Sequence, residues 1–186
     1  MILINYLTNQ EELNYKNNNY QGFLLEKAFK DKKLSKYIYN NVSINSKVIK
    51  KNDLFFAIKG KRTDGHNFIK QAIKKGAAKS VISKNVGSLS KNKIIRVKDT
   101  FLSLNSLAKI TRENTSADIV GITGSVGKTT LKNLIGFSLK NYGKVYCSPH
   151  SYNNKYGVPL SLSNLKENTE YGIFEIGMDK KGEINN

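Results

Sequence analysis

The residues best suited to chemistry form one short run: Gly124-Ser125-Val126-Gly127-Lys128-Thr129-Thr130. Glycine lets a backbone turn tightly and bring its N–H groups inward with no Cβ in the way. A helix that begins at Lys128 has first-turn amides with no internal acceptor, and its dipole is positive at that end. The natural occupant is an anion, and a phosphate fits best. Lys128 adds a point charge for terminal phosphates, and the Thr129 hydroxyl can ligate Mg²⁺. Gly124, Ser125, Val126, Gly127, Lys128, Thr129 and Thr130 are therefore the expected nucleotide-binding residues.

The spacing departs from the common phosphate-loop pattern, which wants a glycine where Ile122 stands; Gly121 and Gly124 flank that position instead. The competing reading is a structural strand–turn–helix whose lysine faces solvent. The flanking elements favour phosphate. Ile119, Val120 and Ile122 read as a strand buried on both faces. Leu131, Leu134, Ile135 and Leu139 recur on one side of the following helix at helical spacing.

The elements that must hold this turn can be read along the chain. Leu24, Leu25, Ala28, Phe29 and Leu34 imply a helix with an apolar face, preceded by a loop at Asn17-Asn18-Asn19. Short strands follow at Val42–Ile44 and Asp53–Ile58, then an Asp64-Gly65 turn. Phe68, Ile69, Ala72 and Ile73 make a helix stopped by Gly76, and strands recur at Ser80–Ile82 and Ile94–Val97. Asp99 or Thr100 caps a helix carrying Phe101, Leu104, Leu107, Ala108 and Ile110. The polar Glu113-Asn114-Thr115-Ser116 marks a domain boundary, giving domains 1–115 and 116–186. Beyond it lie strands at Lys144–Cys147 and Tyr171–Ile176. Between these two strands come a polar loop, Ser148–Tyr156, and a short helix with Pro159 in its first turn, running to Leu165. The fold class is α/β: a small mixed α/β domain, then the opening of a doubly wound parallel sheet that binds ligands at its carboxyl edge. Three strands and two helices are few for an independent nucleotide domain, so the chain reads as a piece cut short.

Composition narrows the partners. The 186 residues are 39% apolar, enough for a core. No apolar run approaches the ~20 residues that span a bilayer, and Met1-Ile2-Leu3-Ile4 is too short for a signal peptide. A cytoplasmic protein without membrane insertion is expected. Cys147 is the single cysteine, so there is no internal disulfide and no cysteine metal site. Thirty-one basic against 14 acidic residues give a formal charge of +17. That balance favours anionic partners. The lysines, however, are spread along the chain among many asparagines, as A-rich codons would produce, so specific nucleic-acid binding is not expected. A basic nucleic-acid module stays as a rival, testable by its salt dependence; so does an unrelated P-loop kinase or NTPase.

Several segments together resemble the ATP-dependent Mur ligases of peptidoglycan synthesis. Asp53-Leu54-Phe55-Phe56-Ala57-Ile58-Lys59-Gly60 with Asp64-Gly65-His66-Asn67-Phe68 is similar to the family's first domain. Gly121–Thr130 is similar to its phosphate loop, including the unusual glycine spacing. Tyr152-Asn153-Asn154-Lys155-Tyr156-Gly157-Val158-Pro159-Leu160, Glu175-Ile176-Gly177 and Gly182-Glu183-Ile184 resemble the branch that adds D-alanyl-D-alanine to UDP-N-acetylmuramoyl-tripeptide. A sister branch with another incoming amine is the alternative within the family.

The resemblance implies ATP and Mg²⁺ as cofactors, the UDP-precursor and D-alanyl-D-alanine as partners, and a monomer. It implies that Lys128 holds the β and γ phosphates and that Thr129 and Glu175 bind Mg²⁺. Asn154, with Asn153, would contact the reacting phosphate or the precursor's carboxylate, and Ser46 and Lys47 would lie near the uridine diphosphate. Asn45 and Lys47 stand where the family often has aspartate and arginine, and lysine lacks arginine's two-pronged fork. Plainer readings exist: Glu175 as an ordinary strand-end carboxylate, Asn153-Asn154 as a turn, His66 as a turn residue, His150 as loop surface. With the family's third domain and carbamylated lysine absent from it, this chain alone is expected not to turn over.

Overall fold

The computed structural model describes residues 19–87, 89–149 and 152–177. Asn17, Asn18, His150 and Gly182-Glu183-Ile184 lie outside the described residues, as does the Met1–Ile4 run. The chain divides into two compact units, Met1–Asn114 and Thr115–Asn186.

The first unit is built on four parallel strands in sequential order: β1 (Val42–Ser43), β2 (Leu54–Phe56), β3 (Lys79–Ile82) and β4 (Ile94–Arg96). Every residue of β2 and β3 is buried; β2 is an unbroken apolar run, as a strand covered on both faces is, whereas β3 buries Lys79 and Ser80 beside Val81 and Ile82. Among the described residues three α-helices accompany the sheet: α1 (Tyr20–Phe29), α2 (Ile69–Lys74) and α3 (Thr100–Asn114). Asn19 caps α1 by accepting the Gly22 amide at 3.0 Å. The apolar pattern that runs on to Leu34 is split in two. Lys30 takes a left-handed φ of 53°, which ends α1, and Leu34 is buried from a separate 3₁₀ turn, Lys32–Leu34. At α3 the cap is Asp99, whose carboxylate accepts the Leu102 amide at 2.8 Å. Thr100 instead donates its hydroxyl to the Ala57 carbonyl at 3.0 Å, tying the helix to the end of β2. Leu104, Leu107, Ala108 and Thr111 form the buried stripe of α3, which packs against α1.

The second unit runs β5 (Asp118–Ile122), α4 (Lys128–Leu139), β6 (Val145–Cys147), α5 (Gly157–Leu162) and β7 (Tyr171–Glu175). Its sheet is parallel, with strand order β5-β7-β6. β7 is the central strand and is buried from Gly172 to Glu175. β5 has one strand neighbour among the described residues. Of its apolar residues only Ile122 is buried; Ile119 and Val120 are half-buried.

Helix α4 buries a different face from the one its leucines mark. Leu131 and Leu134 are 49% and 59% exposed and Ile135 and Leu139 are half-buried, while Lys132 and Gly136 are buried. The side facing the sheet must come close to β6. At Gly136 an added Cβ would lie 2.3 Å from Cys147 Sγ, so no side chain larger than hydrogen fits unless something moves. Helix α5 ends at Leu162 and not at Leu165, with Pro159 inside its first turn. Among the described residues no helix is long and apolar enough to cross a membrane.

Candidate phosphate and metal site

The site begins with strand register. Ile122, the last residue of β5, pairs with Glu175, the last residue of β7, and the Ile176 amide donates to the Ile122 carbonyl at 2.8 Å. The carboxyl ends of two parallel strands are thereby side by side, the edge where such sheets take ligands. The chain leaves β5 through Thr123 into the glycine turn. Gly124 has φ 146° and Gly127 φ 79°, both in the range that favours glycine. A Cβ built on Gly127 meets nothing within 4 Å, so the turn is open on that side. Val126, in the middle of the turn, is 90% exposed.

Helix α4 starts at Lys128, and the Leu131 amide makes the first bond back, to the Gly127 carbonyl at 2.9 Å. The amides before it have no acceptor within the helix and point toward the turn. Lys128 folds over this opening, its Nζ donating to the Gly124 carbonyl at 2.5 Å. Turn, dipole and ammonium are together of the kind that takes an anion.

Glu175 lies at its rim, 3% exposed. Thr129 Oγ1 donates to one carboxylate oxygen at 2.6 Å, and Asn153 Nδ2 donates to the other at 2.8 Å. Lys132 Nζ lies 3.9 Å from the first oxygen. Burial pushes the Glu175 carboxyl up, but the hydrogen bonds from Thr129 and Asn153, with the charges of Lys132 and Lys128, outweigh it. The net shift is downward, and the group is held ionised. A hydroxyl and an ionised carboxylate facing each other beside a phosphate cradle are hard oxygen donors of the kind Mg²⁺ takes. Among the described residues no three His, Cys, Asp or Glu groups form a cage.

The structure therefore brings Gly124–Thr130, Glu175 and Asn153 together. Asn154 is placed differently. Its amide oxygen accepts the Tyr156 and Gly157 amides, each at 3.0 Å, which opens α5. The turn reading holds for Asn154, while Asn153 is held in place through both main chain and side chain: its carbonyl accepts the Gly177 amide at 2.7 Å.

In the first unit, Ser46 is buried with its hydroxyl on Gln71 Oε1 at 2.6 Å. Lys47 is exposed, and its carbonyl accepts Lys75 Nζ at 2.5 Å. Asn45 accepts the Lys47 amide at 3.0 Å, so this residue shapes the local turn. His66 is buried in its turn: Nδ1 lies 2.6 Å from Asp64 and Nε2 accepts the Ser83 amide at 3.0 Å. A concavity of about 390 Å³ is lined by Lys59, Lys61 and Arg62 with Thr63, Asn67 and Phe68 among others; Ser46 and Lys47 do not line it.

Two residues of the site escape a reading based on apolar spacing: Lys132 and Ser148. Lys132 Nζ donates to the Ser148 carbonyl at 2.7 Å, and the Ser148 hydroxyl accepts the Glu175 amide at 3.2 Å. The signal for Lys132 was its place three residues after Thr129, which puts both side chains on one helix face.

A parallel α/β sheet whose first strand opens through a glycine turn into a helix, with an acidic strand end beside it, is the architecture of the P-loop class. Residues 122–186 match the family model described as the Mur ligase middle domain, and residues 38–116 match the one described as the Mur ligase family, catalytic domain. The chain belongs to the Mur ligase family. It is 44% identical over 145 residues to the UDP-N-acetylmuramoyl-tripeptide–D-alanyl-D-alanine ligase of Rickettsia prowazekii, covering 78% of this chain and 32% of that one. Among solved structures it resembles a UDP-N-acetylmuramoylalanyl-D-glutamyl-2,6-diaminopimelate–D-alanyl-D-alanyl ligase from Acinetobacter baumannii. There the TM-score is 0.74 and the identity 28%, over 88% of this chain and 37% of that one. It also resembles the MurF ligase of Thermotoga maritima in complex with ADP, with TM-score 0.64 and 34% identity, over 80% and 34% of the two chains. The chain thus spans about a third of the length of the relatives it matches.

Proposed function

We propose that this chain supplies two parts of an ATP-dependent ligase that joins D-alanyl-D-alanine to UDP-N-acetylmuramoyl-tripeptide. Residues 1–115 form the precursor-binding domain and residues 116–186 the start of the ATP-binding domain. The observation that carries the reading is the buried, ionised Glu175 bonded to Thr129 beside the glycine turn. The names of the relatives support the choice of substrates.

A carboxylate resists attack by an amine because it is anionic and its oxygen leaves badly. ATP, when bound, supplies the phosphoryl group that removes both obstacles by making an acyl phosphate, which the amine then opens with loss of phosphate. The protein's work is positioning and charge neutralisation. The amides at the start of α4 and the Lys128 ammonium take the terminal phosphates. Thr129 and Glu175 hold Mg²⁺. Asn153 fixes the Glu175 carboxylate, and Asn154 shapes the loop that presents it to the reacting groups. The basic concavity at Lys59, Lys61 and Arg62 suits an anionic precursor; the family resemblance adds Ser46 and Lys47 as contacts to the precursor's diphosphate. A cytoplasmic monomer goes with this reading.

The test is calorimetric titration of the chain with Mg·ADP and with UDP-N-acetylmuramoyl-tripeptide. Both are expected to bind, and Lys128→Ala is expected to lose the nucleotide while keeping the precursor. Nucleotide binding without precursor binding would refute the assignment of residues 1–115 to the precursor. Tight, steeply salt-dependent DNA binding that survives Lys128→Ala would overturn the reading altogether.

A further inference from the structure

Lys132 is 2% exposed, and the reaction outlined above gives it no contact with phosphate or metal. A methionine of similar length would fill its place without the cost of burying a charge. The benefit of the ammonium must therefore lie in what it holds. Its Nζ donates to the Ser148 carbonyl at 2.7 Å and stands 3.9 Å from Glu175 Oε2. Ser148 is itself bound into the sheet: its amide donates to the Ile173 carbonyl at 2.8 Å and its hydroxyl accepts the Glu175 amide at 3.2 Å. The loop that starts at Ser148 brings Asn153 back to the other oxygen of Glu175. One buried cation thus touches both the carboxylate and the root of the loop that orients it, from the same helix face that carries Thr129.

We propose that Lys132 is a positioning residue for the metal site: it anchors the loop after β6 to Glu175, so that Asn153 and Thr129 grip opposite oxygens of one carboxylate. The role of the metal rests on the nucleotide reading above; the anchoring does not.

The test uses the full chain with Lys132→Met and Lys132→Arg. The first readout is the side-chain amide of Asn153 by NMR, assigned through its loss in Asn153→Ser. In the parent chain this amide is protected from exchange by its bond to Glu175, and in Lys132→Met that protection is lost. The second readout is ADP affinity with Mg²⁺ and with chelator. Lys132→Met weakens the Mg²⁺-dependent gain roughly 10- to 100-fold, as removal of groups behind metal ligands does, and leaves metal-free ADP binding unchanged. Lys132→Arg, which keeps a charged donor, restores most of both. An Asn153 signal and a Mg²⁺ dependence untouched by Lys132→Met overturn the proposal. If Lys132→Met does not fold, Lys132→Gln is read in the same way; failure of both to fold makes Lys132 a core residue only and equally overturns it. A parent chain whose ADP affinity ignores Mg²⁺ sinks the nucleotide reading, while the Asn153 signal still judges Lys132.

Discussion

Gly127→Ala separates backbone strain from ligand approach. Gly127 has φ 79°, and a Cβ placed there meets nothing within 4 Å. The substitution therefore adds no clash, and its cost to folding is the left-handed conformation alone, about 1–2 kcal/mol. For a chain of this size each kcal/mol lowers the melting temperature by about 2–4 °C, so the expected drop is about 2–8 °C. The space that is open in the free protein is where a phosphate would draw close to the turn. Nucleotide affinity should therefore fall by more than tenfold, roughly 1.4 kcal/mol or more, although the variant remains folded. Thermal melting and Mg·ADP calorimetry on the same samples provide both numbers. A folding loss above about 3 kcal/mol would mean that Gly127 carries packing the structure does not show. An unchanged ADP affinity in a folded variant would refute the phosphate cradle.

Three other perturbations probe the scaffold. Gly136→Ala puts a methyl group 2.3 Å from Cys147 Sγ, so overpacking of about 1–3 kcal/mol is expected in urea melts; Gly136→Ala combined with Cys147→Ser tests whether that contact is the cause. Asp53 is buried and accepts the Lys50 amide at 2.8 Å, the Asn41 amide at 3.1 Å and Asn41 Nδ2 at 3.2 Å. Asp53→Ala strands these donors and should cost about 2–3 kcal/mol by chemical denaturation. Asp64 is held well below the usual carboxylate range, chiefly by Lys84 at 2.6 Å and also by His66. A carboxyl lowered in the folded state stabilises above the unfolded value near ~3.9 and loses that contribution as the pH falls below it. Lys84 is largely exposed, so Lys84→Met should cost under about 1 kcal/mol at neutral pH. The difference between the two proteins should shrink as the pH drops below about 4, and a difference that grows in acid would contradict the assignment.

The glycine turn was legible because two backbone positions need glycine and the flanking runs have strand and helix periods. Glu175 was legible as a strand end, but its bond to Thr129 depends on β7 lying next to β5, and pairing order is not written in local periodicity. The buried side of α4 was not legible. Apolar spacing chooses Leu131 and Leu134, whereas the sheet chooses the face with a missing side chain at Gly136 and a cation whose charge is matched across the contact at Glu175. Asn153 and Asn154 look alike in a string of polar residues, and only the fold assigns one amide to a carboxylate and the other to the start of a helix. In the first unit, β2 could be found because a strand covered on both faces leaves a continuous apolar run, while β3 shows only Val81 and Ile82 and buries Lys79 and Ser80 unannounced. The end of α1 could not, because Lys30 turns left-handed with no glycine to announce it.

The placement of β7 between β5 and β6 has a consequence for how the protein is made. The strand translated last of the three is the one that joins the other two. A nascent chain that has not yet released Tyr171–Glu175 holds two parallel partners with no ladder between them and an apolar layer left open. Parallel pairings that span long stretches of chain form slowly, so this layer closes in one late step. The same step delivers the carboxylate to the glycine turn. On the nucleotide reading proposed above, the Mg²⁺-dependent part of ADP binding would therefore report that synthesis has passed Glu175 and that the strand has inserted beside the glycine turn.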